Sequence, residues 1–470
     1  MEPQGPTLDL GPRQESSRSP TKNPVLGRCS YFVQRKKRFC KMVVSLGKRF
    51  CGEHALEGEE QNTRKRIQCP LDPKHTVYED QLQKHLKKCN SREKPLPVYH
   101  IQNVNAGTPE EDVCEDQVPI SSLSREDLQK LIEKLRRVTS GLEPPLPDKK
   151  LCHQVLQGAL CDPVNGESAS KHLKQQASIL GHLESLGLLG GSRCYVEFGA
   201  GRGKLSHWVD IATQDAENVL FLLVERASTR FKVDGKQRKS TFERLHIDIQ
   251  HLCLDHVPSL VQKQRSVIGI GKHLCGAGTD LALRCLMQAS SPMVGEPDCK
   301  RPRMDPALES SDLTHKGNSV PDEQNKVAGI VIALCCHHRC DWQHYVGKEF
   351  FRNLGLGQRE FNFFQRMSSW ATCGLRKLPV TSHVENESGT DFEEHNEAAQ
   401  KIPVCNSEAI QRLLTVEERE NLGHLCKLLI DHGRLDYLKK MGFKPTLQYY
   451  TDPEVSLENI LLTALPQQHK

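Results

Sequence analysis

Short apolar and β-branched runs alternate with stretches of helical spacing over residues 151–470. The predicted strands are 194–199, 219–225, 244–249, 266–272, 327–335, 443–450 and 457–464. Strands that alternate with helices along a chain form a parallel sheet that helices cover on both faces. The turn-rich sequence TDPEVS joins the last two strands, so the final strand is expected to run antiparallel. The pattern therefore predicts an α/β fold with a doubly wound sheet.

Three polar stretches lack this periodicity. Residues 1–25 are rich in Pro, Ser and charged residues and are expected to form a disordered tail. Residues 290–326 and 375–410 interrupt the alternation of strands and helices and are expected to be surface insertions without a core of their own. The predicted core of the α/β domain therefore comes from the remaining periodic segments.

Residues 93–150 are predicted to be a linker that contains one helix, at 121–140. Ser124 is a typical helix N-cap residue with Asp127 three positions later, and apolar residues follow at helical spacing. The opposite face of this helix is basic. We expect this segment to connect the N-terminal part of the chain to the α/β domain.

The run CYVEFGAGRGKLSHWVD, residues 194–210, predicts a buried strand that breaks into a glycine loop and then a helix. Gly199, Gly201 and Gly203 allow the backbone to turn sharply and to lie close to a ligand. The spacing GxGxG behind Glu197 departs from the dinucleotide fingerprint GxGxxG and resembles the S-adenosylmethionine (SAM) loop of Rossmann-like methyltransferases. An ordinary turn between strand and helix is the alternative interpretation.

Acidic residues follow the next two predicted strands, as expected around a bound nucleoside. Glu225 ends the strand VLFLLVER, where its carboxylate would accept hydrogen bonds from both ribose hydroxyls. Asp248 lies in LHIDIQHL, where it would accept a hydrogen bond from the adenine amino group. A helix cap at the surface is the alternative for Asp248. The sequence thus predicts that Glu197, the three glycines, Glu225 and Asp248 bind a cofactor.

Charge and cysteine content narrow the class of protein. The chain of 470 residues has a net charge of +5, and its basic residues cluster at 28–48 and 64–88. Basic clusters near small modules indicate contact with a phosphate backbone. No apolar run is long enough to span a bilayer and no signal peptide pattern occurs, so we expect an intracellular protein of the nucleus, the cytoplasm or both. In a reducing compartment, nineteen cysteines indicate metal ligation or buried thiols.

Residues 26–56 contain a candidate zinc module of the CCCH kind. Its ligands would be Cys29, Cys40, Cys51 and His54, and the last two are separated by two residues, a spacing that presents both ligands from one turn. A segment this short cannot bury a core, so metal binding has to supply most of its folding free energy. Thiolate ligands favour Zn²⁺ over harder cations. Four unrelated residues in a basic linker are the alternative.

Residues 64–92 contain a second candidate zinc module, of the CHHC kind. Its ligands would be Cys69, His75, His85 and Cys89. His85 and Cys89 are four residues apart in DQLQKHLKKCN, which places both on one helical face toward a single ion. This closed spacing is a strong indication of a zinc finger.

The fourth predicted strand leads into GKHLCGAGTD, which places Lys272 and His273 where open α/β sheets carry their reacting groups. Methyltransferases that act on amino groups usually carry an Asn/Asp-Pro-Pro-aromatic sequence here, and this chain has none. A basic residue suits a hydroxyl acceptor instead, because Lys or His can take or polarise the proton as oxygen attacks the sulfonium methyl group. Lys272 and His273 are the candidate catalytic residues.

The fifth predicted strand runs into a dense cluster of cysteines and histidines, CCHHRC at 335–340. The cluster can hold a metal, although adjacent residues of the same kind point in divergent directions. One of its cysteines can instead act as a nucleophile toward carbon 6 of a pyrimidine. The interpretation we favour is that Cys335 is part of the core while His337, His338 and Arg339 line the substrate side.

Together these motifs resemble a known family. The CCCH and CHHC modules are followed by SASKHLKQQ, VEFGAGRGKLSHW, GIGKHLCG, IALCCHHRCDW and FQRMSSWATCG. This order is similar to that of the eukaryotic tRNA 2′-O-methyltransferases that modify the fourth nucleotide of the acceptor stem, and the resemblance extends from about Gly27 to the C-terminus. It implies a Rossmann-like SAM-dependent methyltransferase sheet behind small zinc-finger modules, SAM as methyl donor, tRNA as partner and a ribose 2′-hydroxyl as acceptor.

Two other functions are compatible with parts of the sequence. An RNA cytosine carbon-5 methyltransferase would use Cys335 or Cys336 as its nucleophile. A non-catalytic RNA-binding adaptor would keep the fold without the chemistry, but the intact glycine loop and Glu225 argue against this. We therefore expect a tRNA 2′-O-methyltransferase.

Overall fold

The computed structural model describes most of the chain in two compact units, Met1–Leu96 and Pro97–Lys470. The described residues are 26–34, 38–44, 46–51, 54, 66–89, 91–92, 95–107, 118–142, 146–227, 240–263, 265–288, 327–373 and 413–467. The expected tail at 1–25 and the expected insertions at 290–326 and 375–410 lie outside these residues.

The described residues of the smaller unit form two β-hairpins and one short α-helix. These are β1 (Phe32–Val33) with β2 (Arg38–Phe39), β3 (Arg66–Cys69) with β4 (Asp72–Tyr78), and α1 (Leu82–Leu86). Both strand pairs are antiparallel. Around the second hairpin, Ile67, Leu82 and Leu86 pack against Cys69, Val77 and Cys89. This small apolar cluster lies directly beside the four predicted ligands of the CHHC module.

Seven strands of the larger unit form one mixed sheet. They are β5 (Arg193–Phe198), β6 (Leu220–Val224), β7 (Thr241–Leu245), β8 (Ser266–Lys272), β9 (Val327–Ala333), β10 (Phe443–Tyr449) and β11 (Ile460–Pro466). Their order across the sheet is β10-β11-β9-β8-β5-β6-β7. β5 to β9 are mutually parallel, and β11 lies antiparallel between β9 and β10. The predicted parallel sheet with an antiparallel final strand is confirmed.

Helices surround this sheet. They are α2 (Arg125–Thr139), α3 (Gln157–Cys161), α4 (Glu167–Ser185), α5 (Lys204–Ala212), α6 (Pro258–Val261), α7 (Gly278–Gln288), α8 (Lys348–Asn353), α9 (Gln358–Met367), α10 (Trp370–Cys373) and α11 (Val416–Lys440). Across the described residues, no helix combines the length and the apolar character that a membrane crossing requires.

Both faces of the sheet are buried, because alternate residues of each strand belong to different apolar clusters. Val196 and Phe198 of β5 pack on one face with Leu286 of α7. Tyr195, directly before Val196 in sequence, packs on the other face with Leu180 of α4. The two-sided core explains why the strands are nearly continuous in apolar residues, as in other parallel sheets.

The predicted position of the third strand, 244–249, is wrong. The strand is β7, Thr241–Leu245, and the chain turns directly after it, since the Ile247 backbone N–H donates to the Leu245 carbonyl at 3.0 Å. A short 3₁₀ helix at Ile249–His251 follows. Leu245, Ile247 and Ile249 alternate as in a strand, but this alternation belongs to a turn whose apolar residues face the core.

The segment expected to be a linker contributes to the core of the larger unit. Helix α2 begins behind its Ser124 cap, as predicted, and its apolar face packs with residues of α8, α9 and α11 in a helical cluster. Lys134 of α2 also forms a 2.6 Å ion pair with Glu360 of α9. The compact unit therefore starts at Pro97, well before residue 151.

A buried ion cluster joins three elements of the larger unit. The Arg434 guanidinium of α11 donates to Asp280 of α7 at 2.7 Å and 3.2 Å, and to Asp431 at 2.9 Å. His337, in the turn after β9, contacts Asp431 through Nε2 at 2.8 Å. All four side chains are almost completely buried. Each charge therefore depends on its partners, because burial keeps solvent from replacing them.

We expect Asp431→Ala to lower the free energy of unfolding by about 3–5 kcal/mol, because it leaves a buried guanidinium partly uncompensated. The control is Asp341→Ala, which removes a half-exposed carboxylate from its ion pair with His344 and should cost less than about 1 kcal/mol. Urea unfolding of the full chain measures both. Equal losses for the two variants would contradict the role of the cluster.

Candidate active site and metal centres

The loops that follow β5, β6, β7 and β8 lie at one edge of the sheet, because these strands are parallel. From β5 the chain proceeds to β6 and β7 on one side, whereas β8 and β9 lie on the other side. Such a reversal of strand order leaves a crevice outside the carboxyl ends of β5 and β8, where open α/β sheets bind ligands. The predicted glycine loop and Lys272 both lie at this place.

All three glycines of the loop adopt left-handed backbone conformations, with φ of +63° at Gly199, +48° at Gly201 and +71° at Gly203. A side chain at Gly203 would clash with Leu223. A Cβ at Gly201, in contrast, would meet no atom within 4 Å. The loop thus needs glycine for its path and leaves open space at Gly201 for a ligand.

Glu197, at the end of β5, is buried and binds the start of α5. Its carboxylate accepts hydrogen bonds from the backbone N–H of Ser206, at 3.0 Å, and from the Ser206 hydroxyl. Burial raises the pKa of Glu197 to about 7, against the opposing effects of Ser206, Arg244 and Lys272. The carboxyl group therefore fixes the helix that follows the loop.

Two side chains from the neighbouring strands hold the loop itself. Glu225, directly after β6, accepts the Gly201 backbone N–H at 3.0 Å and the Ala227 N–H at 2.9 Å. Arg244 of β7 donates to the carbonyls of Gly201 and Arg202, each at 3.3 Å. Arg244 had no sequence signal, because an arginine inside a strand belongs to no motif. These contacts fix the loop on both sides of Gly201.

Asp248 caps a short helix, which is the alternative to cofactor binding that the sequence left open. It lies after the end of β7, and its side chain accepts the Gln250 N–H at 3.1 Å at the start of the 3₁₀ helix. Its other oxygen lies 3.5 Å from the Arg226 guanidinium. A contact from Asp248 to an adenine amino group stays a prediction.

Lys272, the last residue of β8, lies at the centre of a polar cluster. Its Nζ is 3.0 Å from His172 Nδ1, 3.0 Å from Gln175 Oε1 and 2.7 Å from His273 Nε2. An ammonium group carries three donors, so these three acceptors suit a protonated lysine. His172 and Gln175 come from α4, and only the motif SASKHLKQQ indicated them. His273 itself is exposed and has a left-handed backbone, with φ of +67°.

The cluster after β9 differs from the interpretation favoured from the sequence. Cys335 is in the core, as expected, but His337 is buried in the ion cluster with Asp431 and does not line a surface. Cys340 is also buried and donates its S–H to the His337 carbonyl at 2.8 Å. The Asp431 carboxylate holds His337 inside. Cys336, in contrast, approaches Cys275 from the loop after β8, at 3.3 Å between the sulfurs.

The four predicted CCCH ligands converge in the smaller unit. The ligand atoms of Cys29, Cys40, Cys51 and His54 all lie within 4.8 Å of one another. His54 Nδ1 is 3.2 Å from the Cys51 sulfur and 3.5 Å from the Cys29 sulfur. Three soft sulfurs and one imidazole nitrogen around a common point form the donor set of a structural Zn²⁺ site.

The four predicted CHHC ligands also converge. The Nε2 atoms of His75 and His85 are 3.1 Å apart, and the sulfurs of Cys69 and Cys89 are 3.8 Å apart. His75 Nδ1 also lies 3.5 Å from a carboxylate oxygen of Asp72, as a supporting carboxylate does beside a metal-binding histidine. Two histidine nitrogens and two cysteine sulfurs therefore face one another, and this set of donors suits a single cation.

Comparison with known proteins agrees with this architecture. The family model described as Methyltransferase TRM13 matches residues 174–465. A model described as the CCCH zinc finger in TRM13 protein matches residues 27–55, and that of the U11-48K-like CHHC zinc finger matches residues 66–90. No solved structure gives a significant match.

Curated relatives match nearly the full length of the chain. The "tRNA:m(4)X modification enzyme TRM13 homolog" of mouse and that of human are each 60% identical, over 94% of this chain and 95% of their own. The "tRNA:m(4)X modification enzyme TRM13" of the yeast Yarrowia lipolytica is 31% identical over 98% of this chain and 94% of its own. Since the family model covers more than half of the sequence, the chain belongs to the TRM13 methyltransferase family.

Proposed function

We propose that the protein transfers the methyl group of SAM to the ribose 2′-hydroxyl of the fourth nucleotide in the tRNA acceptor stem. The relatives are named as tRNA:m(4)X modification enzymes, and the letter X leaves the base unspecified. An acceptor that is independent of the base points to the ribose, which every nucleotide shares. The observation that carries the proposal is the open space at Gly201, which lies at the same sheet edge as Lys272.

The glycine loop would hold the cofactor. SAM supplies an electrophilic methyl group on a sulfonium. The loop leaves open space at Gly201, where the amino-acid part of SAM would lie between Gly199 and Gly203. Glu225 would accept hydrogen bonds from the ribose hydroxyls. Asp248 follows the next strand and would face the adenine. Glu197 and Arg244 act behind the loop by fixing its path.

The acceptor hydroxyl would lie beside Lys272 and His273. A 2′-hydroxyl is a poor nucleophile until its proton is polarised or removed. A lysine ammonium stabilises the charge that develops on the attacking oxygen, and a neighbouring basic nitrogen takes the proton. His172 and Gln175 position Lys272 from α4.

The zinc modules would dock the tRNA. Each would hold one Zn²⁺ in a closed four-ligand site, so neither metal takes part in the transfer. Lys84, Lys87 and Lys88 are exposed around the last CHHC ligand. Duplex RNA presents its 2′-hydroxyls in a wide, shallow minor groove, so recognition by shape and phosphate contacts is sufficient. A tRNA substrate also places the protein inside the cell.

The carbon-5 alternative is disfavoured because the pKa values of its two candidate nucleophiles, Cys335 and Cys336, are raised. Hydrogen bonding with Cys275 and Cys336, together with burial, raises the pKa of the Cys335 thiol well above its usual range. Hydrogen bonding with Cys275 also raises the pKa of Cys336. A covalent attack needs a free thiolate, which the surroundings of both thiols oppose. The adaptor alternative does not explain why the glycine loop stays open.

Mass spectrometry of nucleosides from tRNA incubated with the protein and SAM tests the proposed function. We expect a nucleoside whose methyl group remains with the ribose fragment. A methyl group on the base would replace the proposal with the carbon-5 alternative, and an absence of any methylated product would favour the adaptor.

We expect Gly201→Asp to lower the affinity for S-adenosylhomocysteine at least about tenfold, because the side chain fills the open space and the backbone there is left-handed. Gly187→Asp is a matched control, since Gly187 also has a left-handed φ, of +64°, and open surroundings. Isothermal titration calorimetry measures both. Equal affinities in the two variants would refute the assignment of the cofactor site.

We expect Lys272→Met to lower the turnover number by about 10²–10⁴, the usual contribution of a positioned acid or base, with little change in cofactor affinity. Lys272→Arg keeps the charge and should recover part of the rate. Single-turnover methylation of tRNA measures the rate, and Lys263→Met, at an exposed lysine, serves as control. Full activity of Lys272→Met would exclude this residue from the reaction.

We expect combined replacement of Lys84, Lys87 and Lys88 by Gln to weaken tRNA binding and to reduce its salt dependence. Each lost phosphate contact lowers the slope of log K against log salt by about 0.7–0.9. Binding measured at several salt concentrations tests this, with cofactor affinity as the control. An unchanged slope would show that these lysines do not contact the tRNA backbone.

A further inference from the structure

Three cysteines from two loops meet at the carboxyl edge of the sheet, although no sequence motif groups them. Cys275 lies in the loop after β8, and Cys335 and Cys336 follow β9. The Cys275 sulfur is 3.3 Å from that of Cys336 and 3.6 Å from that of Cys335. All three sulfurs lie within 4.8 Å of one another.

An unusual backbone conformation makes this possible. Side chains of adjacent residues in a strand point to opposite faces, so Cys335 and Cys336 would normally diverge. Cys336 instead has a left-handed backbone, with φ of +48° and ψ of 44°. This conformation is unfavourable by roughly 1–2 kcal/mol for a residue other than glycine. It brings the two neighbouring thiols to the same side.

The loops after β8 and β9 are also in close contact beside the thiols. A Cβ added at Gly276 would lie only 2.9 Å from the Arg339 carbonyl oxygen, so the chain after Cys275 lies directly on the chain after Cys336. The Cys336 backbone N–H donates to Glu458 at 3.3 Å, and Lys427 pairs with the same carboxylate. The position of each thiol is therefore fixed by packing around it.

The spacing of the sulfurs suits a shared metal ion. Zinc–sulfur bonds of about 2.3 Å in tetrahedral geometry place two sulfurs roughly 3.8 Å apart. The sulfurs of Cys69 and Cys89, in the CHHC finger of this chain, are 3.8 Å apart. A disulfide, in contrast, requires about 2.05 Å and would use only two of the three sulfurs.

We propose that Cys275, Cys335 and Cys336 form a third zinc site, in which their thiolates bind one Zn²⁺ and a water molecule takes the fourth position. No other His, Cys, Asp or Glu in the described part of the chain joins these three sulfurs within 4.8 Å. Zinc with three protein ligands and an open position is the arrangement of sites that accept an oxygen ligand. Cys275 is exposed, which gives that position access from solvent.

This site does not depend on the identity of the methyl acceptor. It belongs to the larger unit, whereas the two finger sites belong to the smaller one. Its loss can therefore be measured as metal content, separately from activity and from the fingers. Zinc would also join the loop that follows Lys272, at the end of β8, to the turn after β9.

Elemental analysis of the full-length protein, purified with a reductant and zinc, tests the proposal. We expect the wild type to contain one more zinc per chain than Cys275→Ser, whose substitution is at an exposed position. Cys161→Ser, at another exposed cysteine, is the matched control and should keep the wild-type content. Joint His85→Ala and Cys89→Ala should remove a different zinc, additively with Cys275→Ser.

Cobalt(II) provides a second readout on the same variants. The cobalt-loaded wild type should show stronger thiolate-to-cobalt charge-transfer absorption than Cys275→Ser. The difference should equal the absorption of one cobalt ion bound by three thiolates. Equal metal content and equal absorption in wild type and Cys275→Ser would overturn the proposal. A disulfide between Cys275 and Cys336 in protein purified without reductant, with no third zinc under reducing conditions, would overturn it in favour of a redox pair.

Discussion

The buried guanidinium of Arg434 determines how the functional edge of the sheet is assembled. It is held between Asp280 at the start of α7 and Asp431 in α11, and Asp431 also binds His337 in the turn after β9. The loop before α7 carries Cys275, and the turn after β9 carries Cys336. Replacement of a buried ion cluster by apolar residues is often tolerated, but removal of a single member is costly. The cluster therefore fixes two functional loops through one set of charges.

The glycine loop is fixed on the other side of the same edge by a different set of contacts. Glu197 binds the start of α5, Glu225 accepts the Gly201 N–H, and Arg244 donates to two carbonyls of the loop. These contacts use backbone groups of the loop and leave the space at Gly201 open. A cofactor site held in this way is rigid before the ligand binds, which reduces the entropic cost of binding.

The sequence predicted what local pattern and chain order determine. Alternation of strands and helices was sufficient for the mixed sheet and its antiparallel end, and ligand spacing was sufficient for both zinc modules. The third strand was misplaced because apolar alternation at Leu245, Ile247 and Ile249 continues through a turn. Pattern alone does not distinguish a strand from a turn whose residues face the core.

Contacts between distant segments could not be predicted from the sequence. His172 lies 100 positions before Lys272, yet its ring contacts the lysine. Cys275 meets Cys335 across 60 positions, and the charge that holds His337 inside comes from α11. The left-handed backbone at Cys336 also has no sequence signal, because such conformations are usually marked by glycine or asparagine. These features come from packing, which a single sequence does not specify.

Transfer of the methyl group to a ribose oxygen at one nucleotide can be tested with tRNA that lacks only the 2′-hydroxyl of the fourth acceptor-stem nucleotide. This tRNA is incubated with the protein and methyl-labelled SAM. We expect this tRNA to accept no label, whereas tRNA with the same deoxy substitution at the fifth nucleotide should be methylated as efficiently as unmodified tRNA. Methylation of the first substrate at the normal rate would rule out the ribose 2′-hydroxyl as acceptor, since that atom is absent from it.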